Sequence, residues 1–361
     1  MKKIRMGLVG CSRGQGLAKV FAAHPKVEVS ALCDIDEKRL AEVGKVFNLP
    51  DSALYKEYAS FANAQLDAVI IASPIKFHAD QTVLALEAGK HVLCEQTVAY
   101  TVADCQRVVE AVKRTRRTYM MGENYCYFHY VREWQKLVRA GKLGRIFYAE
   151  GEYIHEIINL LVDAKTGRYF WRHERPPIWY CAHTLGPLLV LMEDRIVKAC
   201  GLTTGFNKMP AYKEHPGFLD FEIGLFKTQK GSVIKILRSQ VAARPHMVWY
   251  SLYGTQGHLE NSRLDRLSQE GLVHIEGEMD KHNPRTTACP VVDPNAPAEA
   301  KQGGHGTSEY YMIRDFLDAV ESGARPPIDV IRATDMTIPG LIAHESAMQG
   351  GQWLDVPLLN W

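Results

Sequence analysis

The chain has 361 residues, 46% of them hydrophobic, 23% charged and 9% aromatic, and a formal net charge of +2 at pH 7. It exceeds the ~250–300 residues at which a single core stops growing, so two domains are expected. The near-balanced charge argues against nucleic acid or an anionic membrane as partner, and no run reaches the ~20 apolar residues of a membrane helix.

The first 120 residues alternate short apolar runs with amphipathic stretches, the rhythm of a doubly wound parallel sheet. Strands are expected at Met6–Val9, Val27–Cys33, Ala68–Ala72 and His91–Cys94. Helical spacing marks Asp36–Phe47, Asp80–Ala88 and Val102–Lys113, the last with Thr101 as N-cap and Asp104 closing a capping box. After residue 122 the pattern changes. A helix at Tyr130–Ala140 is followed by strand-like runs at Arg145–Ile154, Ile196–Thr203, Asp220–Phe226, Ser232–Val241, Met247–Gly254 and Gly257–Glu260. Tyr253-Gly254-Thr255-Gln256-Gly257 reads as a hairpin turn. Residues 261–303 read as one long polar loop, Ser308–Glu321 as a helix, and Pro326–Ala333 with Thr337–Gly350 as segments returning to the first domain. The expected division is 1–122 and 123–361, with the helical region 308–350 of the second part packing back toward the first.

The cysteines, at 11, 33, 94, 105, 126, 181, 200 and 289, form no Cys-x-x-Cys pair and sit mostly in apolar runs. A reduced, cytoplasmic setting is the expectation. Met1-Lys2-Lys3 ahead of Leu8-Val9-Gly10-Cys11 imitates a lipoprotein signal, but Arg5 interrupts a run already short of the ~7–15 residues required. No Cys/His spacing matches zinc, and none of the His-Glu pairs extends to His-Glu-x-x-His, so no metal is expected.

The first strand runs into Gly10-Cys11-Ser12-Arg13-Gly14-Gln15-Gly16. A glycine-rich turn between strand and helix lets a pyrophosphate approach backbone N–H groups at a helix N-terminus. Against the G-x-G-x-x-G spacing Gly10 fits, Ser12 takes the second position and Gln15 the third, with Gly14 and Gly16 on either side. Asp34 closes the second strand 24 residues beyond Gly10. A carboxylate there accepts from the adenosine ribose hydroxyls and repels a 2′-phosphate, which favours NAD over NADP. Asp36 competes for that role.

Two further motifs are Glu95-Gln96-Thr97, after an apolar strand, and Trp179-Tyr180-Cys181-Ala182-His183, opening a helix-like run from Leu185 to Met192. With the glycine loop they resemble the active-site motifs of the glucose–fructose oxidoreductase / inositol dehydrogenase (Gfo/Idh/MocA) family. Most dehydrogenases there carry Glu-Lys-Pro and Asp-x-x-x-His. Here Gln96 stands at the lysine position and Trp179 at the aspartate position, leaving His183. The resemblance implies an α/β chain: an N-terminal Rossmann domain and a C-terminal α/β domain on a large, mostly antiparallel open sheet. It further implies that Ser73, Pro74 and His78 line the nicotinamide side of the cofactor, with Glu95, Gln96 and Asn124 near its ribose and ring. Ser12, Arg13 and Gly14 complete the expected cofactor contacts. A homodimer or homotetramer fits such a sheet.

Hydride transfer from a carbinol needs a base for the hydroxyl proton. Gln96 cannot take a proton. His183 can, because imidazole titrates near neutrality, and Tyr180 can if a neighbour lowers its pKa. Gly122-Glu123-Asn124-Tyr125-Cys126-Tyr127, Tyr153-Ile154-His155, Tyr180 through Pro187 and Gly303-Gly304-His305-Gly306 resemble the branch holding NAD-dependent glycoside hydrolases of the α-N-acetylgalactosaminidase type. There a sugar C3 hydroxyl is oxidised, the acidified C2 proton is removed, the C1 aglycone is eliminated, water adds and the hydride returns. The resemblance makes Tyr180 the C2 base and His183 its substrate-hydroxyl partner. Tyr153, His155, Trp171, Arg172, Trp179 and His305 are candidate sugar contacts. The rival expectations are a net sugar or cyclitol dehydrogenase, and a non-enzymatic NAD- and sugar-binding sensor.

Overall fold

The structure, a computed structural model, describes residues 3–263, 269–280, 282 and 285–361. Contacts divide the chain into two compact units: Met1–Tyr127 with Val292–Thr334 and Leu359–Trp361, and Phe128–Val291 with Asp335–Leu358. The chain thus leaves the first unit after residue 127, returns to it after residue 291 and leaves it again after residue 334.

The first unit is built on β1 (Ile4–Val9), β2 (Val27–Cys33), β3 (Leu54–Tyr55), β4 (Ala68–Ile71), β5 (His91–Glu95) and β6 (Tyr119–Gly122). They form a six-stranded sheet in the order β3-β2-β1-β4-β5-β6, parallel throughout. β4 and β6 are buried at every position, as strands covered on both faces must be. The crossovers are helices α1 (Cys11–Ala23), α2 (Glu37–Val46), α3 (Tyr58–Ala62), α4 (His78–Glu87) and α5 (Val102–Thr115). Thr101 caps α5, its hydroxyl oxygen accepting the Asp104 N–H at 3.0 Å, while the Asp104 carboxylate accepts from that hydroxyl at 2.7 Å, so the cap forms without the reciprocal backbone bond of a capping box. The strand order reverses between β1 and β4, the switch point beside which such sheets bind ligands.

The second unit begins with α6 (His129–Arg139) and β7 (Ile146–Ile154), followed by α7 (Ala182–Met192) and β8 (Ile196–Thr203). Next come β9 (Glu222–Thr228), β10 (Val233–Ser239), β11 (Met247–Gly254), β12 (Gly257–Asn261), β13 (Glu270–Ile275) and β14 (Arg285–Ala288). After α8 (Ser308–Ser322), which lies in the first unit, α9 (Val330–Met348) and β15 (Leu354–Asp355) close the chain. The nine strands run β14-β13-β12-β11-β7-β10-β9-β8-β15, antiparallel except where β7 meets β10. The expected hairpin joins β11 to β12, with Tyr253 opposite His258.

Two expectations are corrected. Residues 261–303 are not one loop. Gly271, Val273 and Ile275 alternate inward on β13, and pairing with β12 extends the sheet over a stretch whose composition looked irregular; residues 264–268, 281, 283 and 284 of that range lie outside the described residues. The two C-terminal segments are joined by one continuous helix, α9, which starts at Val330 and has Pro339 inside it. Proline's φ suits a helix, but in its interior it removes one backbone bond and its ring crowds the carbonyl four residues earlier. Among the described residues no helix is long and apolar enough to cross a membrane, and all eight cysteines are free thiols.

Candidate functional site

In the first unit the glycine-rich turn has the form the motif demands. Gly10 sits at φ +87°, and a Cβ there would lie 2.5 Å from the Ala72 carbonyl and 2.6 Å from the Ser73 nitrogen, so only glycine fits. Gly14, not position 15, supplies the close helix–strand packing: a Cβ would meet Leu8 Cδ1 at 2.3 Å. Gly16 meets nothing closer than 3.6 Å. The motif is therefore shifted by one residue, and spacing alone did not show which glycine mattered. Ser12 is exposed in the first turn of α1, where free N–H groups gather.

Asp34 Oδ2 accepts the Cys11 N–H at 2.7 Å and Oδ1 the Asp36 N–H at 2.9 Å, which fixes the carboxylate at the end of β2. Asp36 is committed elsewhere: it caps α2 by accepting the Arg39 N–H, a bond that lowers its pKa. His78 is buried, with Nδ1 2.8 Å from the Thr97 carbonyl and Nε2 2.9 Å from that of Ser73. Burial lowers its pKa against the pull of those carbonyls. Both ring nitrogens are occupied, so His78 ties the β4 and β5 loops together. Pro74 starts the short turn between them, and the Ser73 hydroxyl bonds Gln81. Gln96 is buried just past β5, and the Gln96–Thr97 peptide is cis.

Arg13 reaches two carboxylates: Nε lies 2.9 Å from Glu95 Oε1 and Nη2 2.8 Å from Glu309 Oε1. Glu309, on the first turn of α8, also accepts from His305 Nδ1 at 3.0 Å and from the Gly304 N–H at 2.8 Å. Burial pushes its pKa up, but His305 and then Arg13 outweigh this and hold it at about 2. His305 thus belongs to this first-unit cluster, beside the Tyr125 ring at 6.2 Å. Nothing in the sequence pattern singled out Glu309. Buried Asn124 leaves its side-chain Nδ2 without a partner. An unmet donor, a backbone cradle at Gly10 and a fixed carboxylate at Asp34 suit a dinucleotide.

In the second unit the sugar candidates gather round Tyr153. Its hydroxyl lies 2.8 Å from His155 Nδ1, and its ring makes edge contacts with His183 at 5.4 Å and His246 at 5.2 Å. Tyr180 meets His183 edge-on at 5.0 Å. His183 is held in the first turn of α7 by a local exchange of partners. Pro187 has no N–H for the His183 carbonyl, and the Tyr250 hydroxyl donates to it instead. The Tyr180 turn is fixed from three sides: Glu222 accepts the Ile178 N–H, Arg238 Nε donates to the Pro177 carbonyl, and Gly340 admits the turn against α9, where a Cβ would strike Ile178 O at 2.4 Å. Trp179 stands edge-on to His344 at 5.6 Å, and Arg172 stacks on Trp171 at 4.3 Å.

Sequence reasoning missed His246, Arg175 and Arg238. Arg238 did carry a signal: it falls in phase with the inward Ile234 and Ile236 of β10, where a charge is out of place. Its guanidinium lies 4.1 Å from the Tyr153 ring centre and 5.5 Å from that of Tyr180, while Arg175 covers Tyr180 at 3.9 Å. Among the described residues no three His, Cys, Asp or Glu side chains group as a metal site would.

Residues 4–123 match the oxidoreductase family with an NAD-binding Rossmann fold, and residues 219–359 match the C-terminal domain of glycosyl hydrolase 109. The chain joins a Gfo/Idh/MocA-type Rossmann domain to a glycosyl hydrolase 109 C-terminal domain. Relatives named glycosyl hydrolase family 109 protein include one from Shewanella pealeana, 27% identical over 99% of this chain and 85% of its own length. Another, from Solibacter usitatus, is 26% identical over 96% of this chain and 86% of its own. Among solved structures, levoglucosan dehydrogenase in complex with NADH and L-sorbose superposes with TM-score 0.84 at 19% identity, covering 99% and 100% of the two chains. An inositol dehydrogenase homologue from Azotobacter vinelandii, complexed with NADH and myo-inositol, gives 0.79 at 22%, covering 98% of each. This chain is thus an enzyme of the NAD-dependent oxidoreductase or glycoside hydrolase 109 type, and its cofactor is NAD.

Proposed function

We propose that this enzyme cleaves a glycosidic bond without net redox change, through transient oxidation of a ring hydroxyl, at C3, to a ketone. The observation that carries the reading is the pairing of Tyr180 with His183 at the start of α7, in a chain whose other motif offers Gln96 where a basic lysine would stand. Bound NAD would supply hydride acceptance and return. Gly10, Ser12 and Gly14 would face its phosphates, Asp34 its adenosine ribose, and Glu95, Gln96 and Asn124 its nicotinamide end. Arg13 and His78 hold those loops in place through the bonds described above.

The chain's own proton chemistry falls to the second unit. His183 holds the hydroxyl and takes its proton as the ketone forms. The ketone acidifies the adjacent C–H, and Tyr180 removes that proton as the aglycone bond breaks. His155, oriented by Tyr153, then serves a leaving oxygen. Trp171 and Trp179 offer aromatic faces to the apolar side of a pyranose, and Arg172 a hydrogen-bond fork. We infer a cytoplasmic homo-oligomer for such an enzyme.

The test is aglycone release from aryl glycosides by purified protein, with bound NAD(H) measured before and after. Release without added cofactor and without accumulating NADH is expected. NADH growing in step with a free sugar, with no release, would overturn the reading in favour of a net dehydrogenase, which the likeness to levoglucosan and inositol dehydrogenases supports. Binding without either reaction would mark a sensor. Gln96→Lys sharpens the choice: gain of net dehydrogenase activity is expected if proton routing was altered at this position.

A further inference from the structure

The second unit buries two positive charges side by side. Arg175 and Arg238 are 2% and 1% exposed, and no carboxylate lies within ion-pair distance of either among the described residues. Burying an unpaired charge costs several kcal/mol in general, so such pairs demand an explanation. Their hydrogen bonds are few and neutral: Arg175 Nη2 donates to Gln240 Oε1 at 2.7 Å, and Arg238 Nε to the Pro177 carbonyl at 3.2 Å. Arg175 Nε and Nη1 and Arg238 Nη1 are shielded from solvent and have no acceptor. An anion on the substrate cannot reach shielded N–H groups, so these arginines are not a subsite for a charged sugar. What they meet instead is aromatic: Arg175 over Tyr180 and, at 5.8 Å, Trp171; Arg238 over Tyr153 and Tyr180.

The groups around Tyr180 narrow the choice of counter-charge. On β9, Glu222 is the register partner of Arg238, but its carboxylate is committed to the Ile178 N–H and to His344 Nδ1 of α9. Cys181 donates its thiol to the Met336 carbonyl at 3.4 Å. On β7, the Tyr153 hydroxyl is bonded to His155. From α7, His183 presents a ring edge. Tyr180 is the acid that both guanidiniums flank.

We propose that Arg175 and Arg238 are positioning residues that keep Tyr180 ionised, making its phenolate oxygen the resident proton acceptor of the site. A positive charge within ~4–6 Å favours the charged form of an acid, and here two buried guanidiniums lie 3.9 and 5.5 Å from the centre of the half-buried Tyr180 ring. The two cations thus create a base instead of being one. The step balances simply. The sugar C–H bond beside the ketone breaks, its proton passes to the Tyr180 oxygen, and the electron pair forms the new double bond as the aglycone leaves with its bonding electrons. Arg238 itself has its pKa drawn down to about 10, burial acting first, and stays charged at neutral pH. This inference rests on the glycosidase reading for its substrate, but not for its readout.

The first experiment is a tyrosinate absorbance titration of NAD-loaded wild-type protein against Tyr180→Phe. A tyrosinate signal present at neutral pH in the wild type and missing in the variant is expected. Identical spectra at neutral pH would overturn the proposal. The second is the pH profile of turnover for Arg175→Gln, Arg238→Gln and the matching Lys variants. The Gln variants should raise the ascending limb by about one to three pH units, with activity recovering at high pH, and the charge-keeping Lys variants should restore part of the shift. An unmoved limb, or Lys and Gln variants that behave alike, would reduce the arginines to packing. If the Gln variants fail to fold, the Tyr180→Phe comparison still decides. A tyrosinate in a protein that cleaves no glycoside would sink the glycosidase reading alone. Cleavage with no tyrosinate would sink only this inference.

Discussion

The two units handle buried charge in opposite ways. In the first, Arg13 is flanked by Glu95 and Glu309, and Glu309 is satisfied by His305, Arg13 and a backbone N–H. In this cluster each charge faces an opposite one, which leaves ligand binding to backbone shape, as in a dinucleotide loop. In the second, Arg175 and Arg238 meet ring faces and leave donors unmet. An incompletely paired cluster holds electrostatic potential that neighbouring acids feel. One arrangement holds a ligand still; the other prepares a proton acceptor.

The comparison can be broken most sharply at Tyr180. Tyr180→Phe removes the proposed proton acceptor and keeps the aromatic ring, so glycoside turnover should fall by about 10²–10⁴-fold while bound NAD, assayed after denaturation, is unchanged. Loss of NAD as well would show that the variant had damaged more than proton transfer.

On the other side, Glu309→Gln removes the carboxylate that Arg13 and His305 share. Its folded pKa, about 2, lies below the ~4.3 of an unfolded glutamate. Its stabilisation is therefore present above about pH 4 and lost as pH falls toward 2, and is on the order of 3 kcal/mol at neutral pH. Denaturant melts at pH 7 and pH 3 should show a large gap between wild type and variant at the first and a smaller one at the second. An equal gap at both would mean that the ionised carboxylate is not what stabilises.

The glycine turn gives the next contrast. Gly10→Ala forces a Cβ into the Ala72 carbonyl at a left-handed φ, costing about 1–2 kcal/mol from backbone strain alone. Co-purifying NAD should be lost and the melting temperature lowered. Gly16→Ala, inside α1 where a Cβ would meet only Arg13 Nη1 at an ordinary 3.6 Å contact, should stabilise the protein by about 0.4–1 kcal/mol and leave NAD content untouched. Equal effects of the two substitutions would contradict the one-residue shift of the motif toward Gly14.

Much of the architecture was legible because it depends on local periodicity. β2, β8 and β11 occupy the stretches their alternation marked, and Thr101 caps α5 as its spacing required. β13 and β14 escaped notice because their stability comes from pairing with β12 and with each other, which no local pattern announces. Tyr180 and His183 were legible as a motif, as were Tyr153 and His155 through the shared resemblance. Arg175, His246 and Glu309 were not, because each acquires its neighbours from remote segments: Arg175 from Gln240, His246 from Tyr153, Glu309 from Arg13.

By itself the sequence determined the Rossmann half, the NAD preference implied by Asp34 and the loss of a basic residue at Gln96, since these follow from residue type and short spacing. Tertiary structure decided which glycine packs the cofactor helix, that His78 is a clip between loops, and that two arginines converge on one tyrosine. A charge's effect depends on what surrounds it at a few ångströms, and only the folded chain sets those distances.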